Sequence, residues 1–357
     1  REKIAGRSRG LDAPFEAIKC IEAATKLPLE EGLALEREIF AVLRDSDSAK
    51  AMRYMFFAER EVAKIPDIPR DTETTEIKSA AIIGAGTMGG GIAMTFANAG
   101  IPVTVVDISD DALAAGMEKV RANYASAVTR GRLGQEAMDT RLGLIAGATD
   151  YGAIKDADIV IEAVFEDMDL KKKIFAELDR TCKADAILAS NTSTLDVGEI
   201  GAATGRPDKV CGTHFFSPAN VMRLLEVVRG EKTANDVLAT AMAIGKKLKK
   251  VSVPVGVCDG FVGNRMVFQY GRESEFLLEE GGTPEQIDGA LRKFGLAMGP
   301  FAMRDLSGLD IGLAIRTRQR QTLPAEFKLP VVLDKMAEAG LLGQKTGKGF
   351  YVYEKGS

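Results

Sequence analysis

The chain holds a single histidine, His214, in the segment GTHFFSP at the end of a predicted strand. Twelve residues on, an acid, Glu226, interrupts the apolar strand RLLEVV. Oxidising an alcohol needs a group that takes the hydroxyl proton as hydride leaves, and imidazole, with an unperturbed pKa of about 6.5, suits that near neutrality. A lone histidine is more often structural, so its place must decide. In open parallel sheets ligands bind beyond the carboxyl ends of the strands, where a strand-terminal His214 would stand. Glu226, between Leu225 and Val227, is costly there unless paired. If SPANVMR reverses the chain, Glu226 returns beside His214 to orient the ring and stabilise the imidazolium. The alternative is a strand residue turned to water. Other polar groups fall at the same edge: Ser193 and Thr194 in SNTST, Asn264 one turn into the helix that opens the second domain, and Glu166 and Lys171 after the strand 158–164. Each reads equally well as a cap or as part of a site.

The element that must position these groups is AAIIGAGTMGGGIAMTFANAGIPVTVVD, residues 80–107. It reads as strand, turn, helix and strand, with Gly84, Gly86 and Gly89 as G-x-G-x-x-G. The first glycine permits the tight turn, the second lets backbone approach a pyrophosphate, and the third lets helix and sheet lie close. Asp107 ends the second strand, 18 residues past Gly89, where an acid receives the adenosine ribose hydroxyls. A carboxylate repels a 2′-phosphate, so NAD is the cofactor expected rather than NADP; FAD, with a similar fingerprint, is the alternative.

The 357 residues suffice for two or three domains. Apolar content is 46%, yet no apolar run approaches a membrane span, and a net charge of −4 makes no field for nucleic acid or an anionic membrane. Cys20, Cys182, Cys211 and Cys258 lack metal spacing and read as reduced residues of a cytosol-like compartment. No signal peptide or targeting tripeptide is visible, and the first residue is Arg, as in an excised fragment.

The fold class expected is α/β: a Rossmann-type doubly wound sheet preceded by a helical linker and followed by an all-helical C-terminal domain. Residues 1–76 form the linker, three amphipathic helices with Pro28 opening the second and Ser46 or Ser48 capping the third. Residues 77–256 form the NAD-binding domain, with alternating strands and helices and a long helical stretch at about 109–142. Residues 257–357 form the helical domain, whose first helix is capped by Asp259, whose second opens on the capping box Thr283–Gln286, and which ends in an extended tail with a glycine turn.

With GAGTMGGGIA, VIEAVFED, SNTSTL, THFFSP, RLLEVV and GFVGNR in this order, the chain resembles the dehydrogenase portion of the L-3-hydroxyacyl-CoA dehydrogenase family over about 77–355. Residues 1–64 are similar to the linker that joins the enoyl-CoA hydratase part to the dehydrogenase part in multifunctional fatty-acid oxidation proteins. The chain thus looks like a piece of one, lacking the hydratase domain and the second helical repeat. The resemblance implies NAD-dependent oxidation of an L-3-hydroxyacyl-CoA thioester, with the acyl-CoA lying between the sheet and the helical domain. It puts the catalytic pair on His214 and Glu226, with Ser193 and Asn264 as polar partners of the substrate. NAD contacts fall on Gly84, Met88, Asp107, Val164, Phe165, Glu166, Lys171 and Ser193, beside Gly86 and Gly89 of the fingerprint. Ser217 stands where the family usually has asparagine; its side chain is shorter and offers fewer hydrogen bonds, so a weaker or water-mediated cofactor contact is expected there. A cytoplasmic location, peroxisomal in a eukaryote, is expected. Stand-alone members of the family pair through the helical domain, whereas multifunctional ones fill that surface with their second repeat, so a homodimer and a monomer both stay open. The rival expectations are a dehydrogenase of a small hydroxy acid or sugar acid, and a non-catalytic NAD-binding protein on the same scaffold.

Overall fold

A computed structural model describes residues 10–354, apart from 322 and 325, together with Ile4 and Ser8. The chain divides into two compact units, residues 54–264 and residues 1–53 with 265–357.

The first unit is built on one eight-stranded sheet in the order β3-β2-β1-β4-β5-β6-β7-β8. Its strands are β1 Ala80–Ile83, β2 Val103–Val106, β3 Ile145–Ala148, β4 Ile159–Glu162, β5 Ile187–Ser190, β6 Val210–Phe215, β7 Leu224–Arg229 and β8 Val251–Gly256. The central strands β1, β4, β5 and β6 are buried at every residue. Strands covered on both faces read as unbroken apolar runs, as AAII and IVI do. One face packs Ile82, Ile92, Phe96, Val105, Ile161 and Leu225 into a core; the other packs Ile83, Val160, Phe175, Leu188, Val210 and Phe261.

The sheet is mixed rather than wholly parallel. β1 to β6 run parallel, but β7 lies antiparallel to β6, and β8 parallel to β7. The cause is the link between β6 and β7: residues 216–223 are too few for a crossover helix and can only turn the chain back. The long helical stretch is two helices, Asp110–Thr129 and Gln135–Gly143, parted where Gly131 takes a φ of 66°. Strand edges lie within a few residues of those read from the sequence.

The second unit is helical among its described residues. The helices α1 Ala13–Ala24 and α2 Leu29–Asp45 precede α3 Asp47–Glu61, which runs on into the first unit's residues; Pro28 is the N-cap of α2 and Ser46 accepts the Ala49 N–H. Beyond residue 264 come helices Pro284–Phe294, with the Thr283–Gln286 capping box intact, Pro300–Ser307, Leu309–Gln319 and Val332–Glu338. The closing segment folds back through single bridges Gly343↔Lys348 and Lys348↔Val352. Asp305 holds it by accepting the N–H groups of Phe350 and Tyr351 and the Tyr353 hydroxyl, each at 2.9 Å.

The helix Gly263–Glu279 begins four residues later than Asp259. Asp259 is therefore not its N-cap. Gly260 and Phe261, with φ of 74° and 48°, instead make a left-handed turn before the helix. Asn264 is thus the second residue of the helix, not a turn into it.

Candidate active site

His214 and Glu226 are directly opposed residues of the antiparallel pair β6–β7. The reversal at 216–223 sets this register, and side chains opposed on one face of such a pair must meet. His214 Nδ1 lies 2.6 Å from Glu226 Oε2, with His214 5% and Glu226 1% exposed. The other carboxylate oxygen, Oε1, accepts the N–H groups of Val262 at 2.9 Å and Gly263 at 2.8 Å. Glu226 therefore supplies the cap that Asp259 was expected to supply. Burial is the largest influence on Glu226 and pushes its pKa up, but the His214 bond and the two backbone donors outweigh it and hold the carboxyl below its ordinary value. Phe216 and Phe261 enclose the imidazole, their ring centres 4.4 and 5.7 Å from it. With Nδ1 donating to Glu226, Nε2 carries the lone pair.

The glycine turn follows β1 at the same sheet edge. Gly84 has a φ of 101°, and a Cβ there would meet the Ala163 carbonyl at 2.9 Å. A Cβ on Gly89 would sit 1.8 Å from the Gly84 carbonyl oxygen, so only glycine lets the helix Thr87–Asn98 lie this close. A Cβ on Gly86 meets nothing within 4 Å, which leaves that backbone open to a ligand. Asp107 closes the turn, its Oδ2 accepting the Ala85 N–H at 2.6 Å. An open backbone turn at a helix N-terminus with a carboxylate at the next strand end fits a dinucleotide without a 2′-phosphate.

A second polar network lies beyond β4 and β5. Glu162, fully buried, accepts Val164 N–H at 2.8 Å and Lys171 Nζ at 2.6 Å on Oε1, and Ser190 Oγ at 2.7 Å on Oε2. Lys171 is itself buried and stands 3.5 Å from Glu166. Its ammonium is committed inward between two carboxylates. Glu166 Oε1 accepts from Thr192 Oγ1, Ser193 N–H, Ser193 Oγ and Thr194 Oγ1 at 2.7, 2.8, 3.1 and 3.2 Å. Burial would raise Glu166, but the Lys171 ammonium and these donors leave its pKa lowered. Ser193 thus belongs to the Glu166 cluster, while Asn191, the neighbour of that turn, accepts the Phe215 N–H beside His214 at 2.8 Å.

The remaining predicted residues spread around this edge. Met88 and Val164 are half-buried beside the glycine turn, Phe165 is 85% exposed, and Ser217 is exposed ahead of a cis peptide to Pro218. Glu162 and Asn191 were missed in the sequence. The signal for Glu162 was available, since an acid inside the apolar run IVIE calls for a partner as Glu226 does. Among the described residues no group of three His, Cys, Asp or Glu is placed to hold a metal.

Residues 79–258 match the family described as 3-hydroxyacyl-CoA dehydrogenase, NAD binding domain, and residues 260–353 match the 3-hydroxyacyl-CoA dehydrogenase C-terminal domain. The peroxisomal bifunctional enzyme of Danio rerio is 44% identical over 99% of this chain, which spans 50% of that protein. The chain thus covers about half the length of the curated relatives it matches. Among solved structures, the (S)-3-hydroxybutyryl-CoA dehydrogenase PaaH1 of Ralstonia eutropha is 37% identical, with a TM-score of 0.73 over 78% of this chain and 100% of its own. The dehydrogenase part of the multifunctional enzyme 1 from C. elegans is 30% identical, with a TM-score of 0.61 over 83% of this chain and 70% of its own. A sheet that presents an open glycine turn, a strand-end acid and a carboxylate-held imidazole at one edge agrees with these matches: the chain belongs to the 3-hydroxyacyl-CoA dehydrogenase family, oxidoreductases that bind NAD.

Proposed function

We propose that this chain oxidises the C3 hydroxyl of an L-3-hydroxyacyl-CoA thioester to the 3-ketoacyl-CoA. The observation that carries the reading is the 2.6 Å bond between His214 Nδ1 and Glu226 Oε2, at the sheet edge that also bears the glycine turn. NAD, when bound, supplies the hydride acceptor, held by Gly84, Gly86, Met88, Gly89 and Asp107, with Val164, Phe165, Glu166, Lys171 and Ser217 around it. His214 takes the hydroxyl proton on Nε2. Glu226, held ionised by the Val262 and Gly263 N–H groups, fixes the tautomer that leaves Nε2 free and stabilises the imidazolium that forms. Ser193 and Asn264 donate to the reacting oxygen as charge gathers on it.

The names of the relatives support a wider reading. The chain works within a longer multifunctional protein of fatty-acid β-oxidation, beside a hydratase domain, in a peroxisome. Residues 1–76 act as linker, 77–256 as the NAD-binding domain and 257–357 as the substrate domain; the separate family matches on either side of residue 259 support the second boundary. Exposed Met266, Phe294, Leu306 and Ile311 support a pairing surface on the helical part, a homodimer in the chain as it stands. Sedimentation velocity reads that directly, one sedimenting species of twice the monomer mass being expected.

The reaction is tested by following NADH absorbance with acetoacetyl-CoA. The wild type should turn over, hydroxyacyl-CoA activity should exceed that on free hydroxy acids by orders of magnitude, and His214→Gln should lose about 10²–10⁴-fold in kcat, the usual cost of removing a general base. Wild-type turnover in His214→Gln would refute the mechanism. Equal activity on free hydroxy acids would give the substrate to the rival dehydrogenase reading.

A further inference from the structure

Glu162 stands where the strand order turns, paired through β4 with Ile83 of β1 on one side and Ser190 of β5 on the other. A fully buried carboxylate is expensive, and replacing a buried ion pair by apolar groups is often neutral or stabilising. Adhesion between β4 and the helix Met168–Thr181 would therefore not require one. The ion pair does not end with Lys171. The same ammonium reaches Glu166, and Glu166 gathers four donors from the turn Thr192–Thr194 on one oxygen.

We propose that Glu162 is a positioning residue of the dehydrogenase: it holds Lys171 against Glu166, and Glu166 holds the Thr192–Thr194 turn so that Ser193 is presented to the substrate's reacting oxygen. The crowded acceptor makes this holder releasable. The Ser193 hydroxyl, at 3.1 Å, shares Glu166 Oε1 with three better or comparable donors. When a substrate oxygen arrives, Ser193 can turn its proton to it while Glu166 stays satisfied by the other three. The proposal rests on the dehydrogenase reading for its kinetic consequence only; the order of the turn is independent of it.

Three variants of the whole chain test it: Glu162→Gln, Lys171→Met and the double variant. The groups facing Glu166 are Lys171 from its helix, Glu162 behind it on β4, and Thr192, Ser193 and Thr194 from the turn. Glu162→Gln frees Lys171 to pull on Glu166 and should lower kcat about 10–100-fold, the scale of a reacting group misplaced by an ångström, with a smaller change in KM for NADH. Lys171→Met removes the cation that holds Glu166 low, so activity should fall away at a higher pH on the acid side than in the wild type. The double variant leaves no unpaired buried charge, so it should regain thermal stability over either single variant yet keep the displaced acid limb. Amide exchange at residues 191–195 should quicken in both single variants.

Wild-type kcat, acid limb and amide exchange in the single variants would overturn the proposal. So would a double variant that regains the wild-type acid limb along with its stability, for the network would then only join helix to sheet. If the wild type itself turns over no acyl-CoA, the proposed reaction falls, and amide exchange at 191–195 alone decides whether Glu162 holds the turn.

Discussion

Glu226 does two jobs with its two oxygens, and this fixes what a single-atom change must do. Oε1 already accepts two backbone N–H groups, from Val262 and Gly263. In Glu226→Gln that oxygen must remain a carbonyl, because an amide NH2 cannot face two donors. The NH2 is then forced toward His214 Nδ1, which can meet it only as an acceptor, and the ring proton moves to Nε2. The base is thereby blocked without any change of shape. A kcat loss of about 10²–10⁴-fold with an unchanged fold is expected, the scale seen when a triad carboxylate becomes an amide. Circular dichroism and NADH turnover on one preparation check both halves. The need for a partner at Glu226 was legible in part, because an acid between Leu225 and Val227 is costly unless it is paired or turned to water, and the sequence left both readings open. Its second task was not, since nothing in the spacing says that the chain returns to β7 at residue 262.

At the scale of elements, the glycine turn is the part that sequence describes most fully, since each glycine answers to one steric fact. Gly89→Ala puts a Cβ 1.8 Å from the Gly84 carbonyl oxygen and 3.0 Å from its carbon, and that carbonyl is backbone that cannot swing aside. The helix Thr87–Asn98 must move out, and NADH affinity should fall along with about 1–3 kcal/mol of stability, the cost of overpacking. Fluorescence titration with NADH and a urea melt measure the two; wild-type affinity in this variant would show that the close approach serves no cofactor. The β6–β7 reversal was legible in SPANVMR only as a condition, since the alternating pattern around it reads as a parallel sheet. The start of the helix at Gly263 was misread, because Asp259 looks like a cap and the left-handed turn at Phe261, a residue type that rarely adopts it, leaves no mark in composition.

For the whole molecule, charge burial links stability to pH. Asp158, Glu166 and Glu226 all titrate below the ordinary carboxylate value in the folded chain; burial is the largest influence on each and opposes this, but is outweighed by Lys183 with the Lys78 and Ser79 N–H groups at Asp158, by Lys171 and hydroxyl donors at Glu166, and by His214 and backbone donors at Glu226. Their folded values are depressed, so their contribution is fully present above the unfolded carboxylate pKa of about 4 and is lost as pH falls through the folded values. The urea midpoint should hold from pH 7 to 5 and drop below about pH 4. A midpoint that falls between pH 7 and 5 would place the sensitive groups elsewhere. The wider architecture was legible as far as periodicity reaches, in alternating strands and helices followed by helices alone.

One histidine among 357 residues makes the central claim open to direct observation. With the imidazole labelled with nitrogen-15, a single pair of ring signals reports which nitrogen carries the proton. At a pH where the ring is neutral, a protonated Nδ1 with a strongly deshielded proton and a bare Nε2 is expected, and both should change places in Glu226→Gln. A proton found on Nε2 in the wild type, or one averaging between the two nitrogens as in free imidazole, would contradict the assignment of His214 as the base.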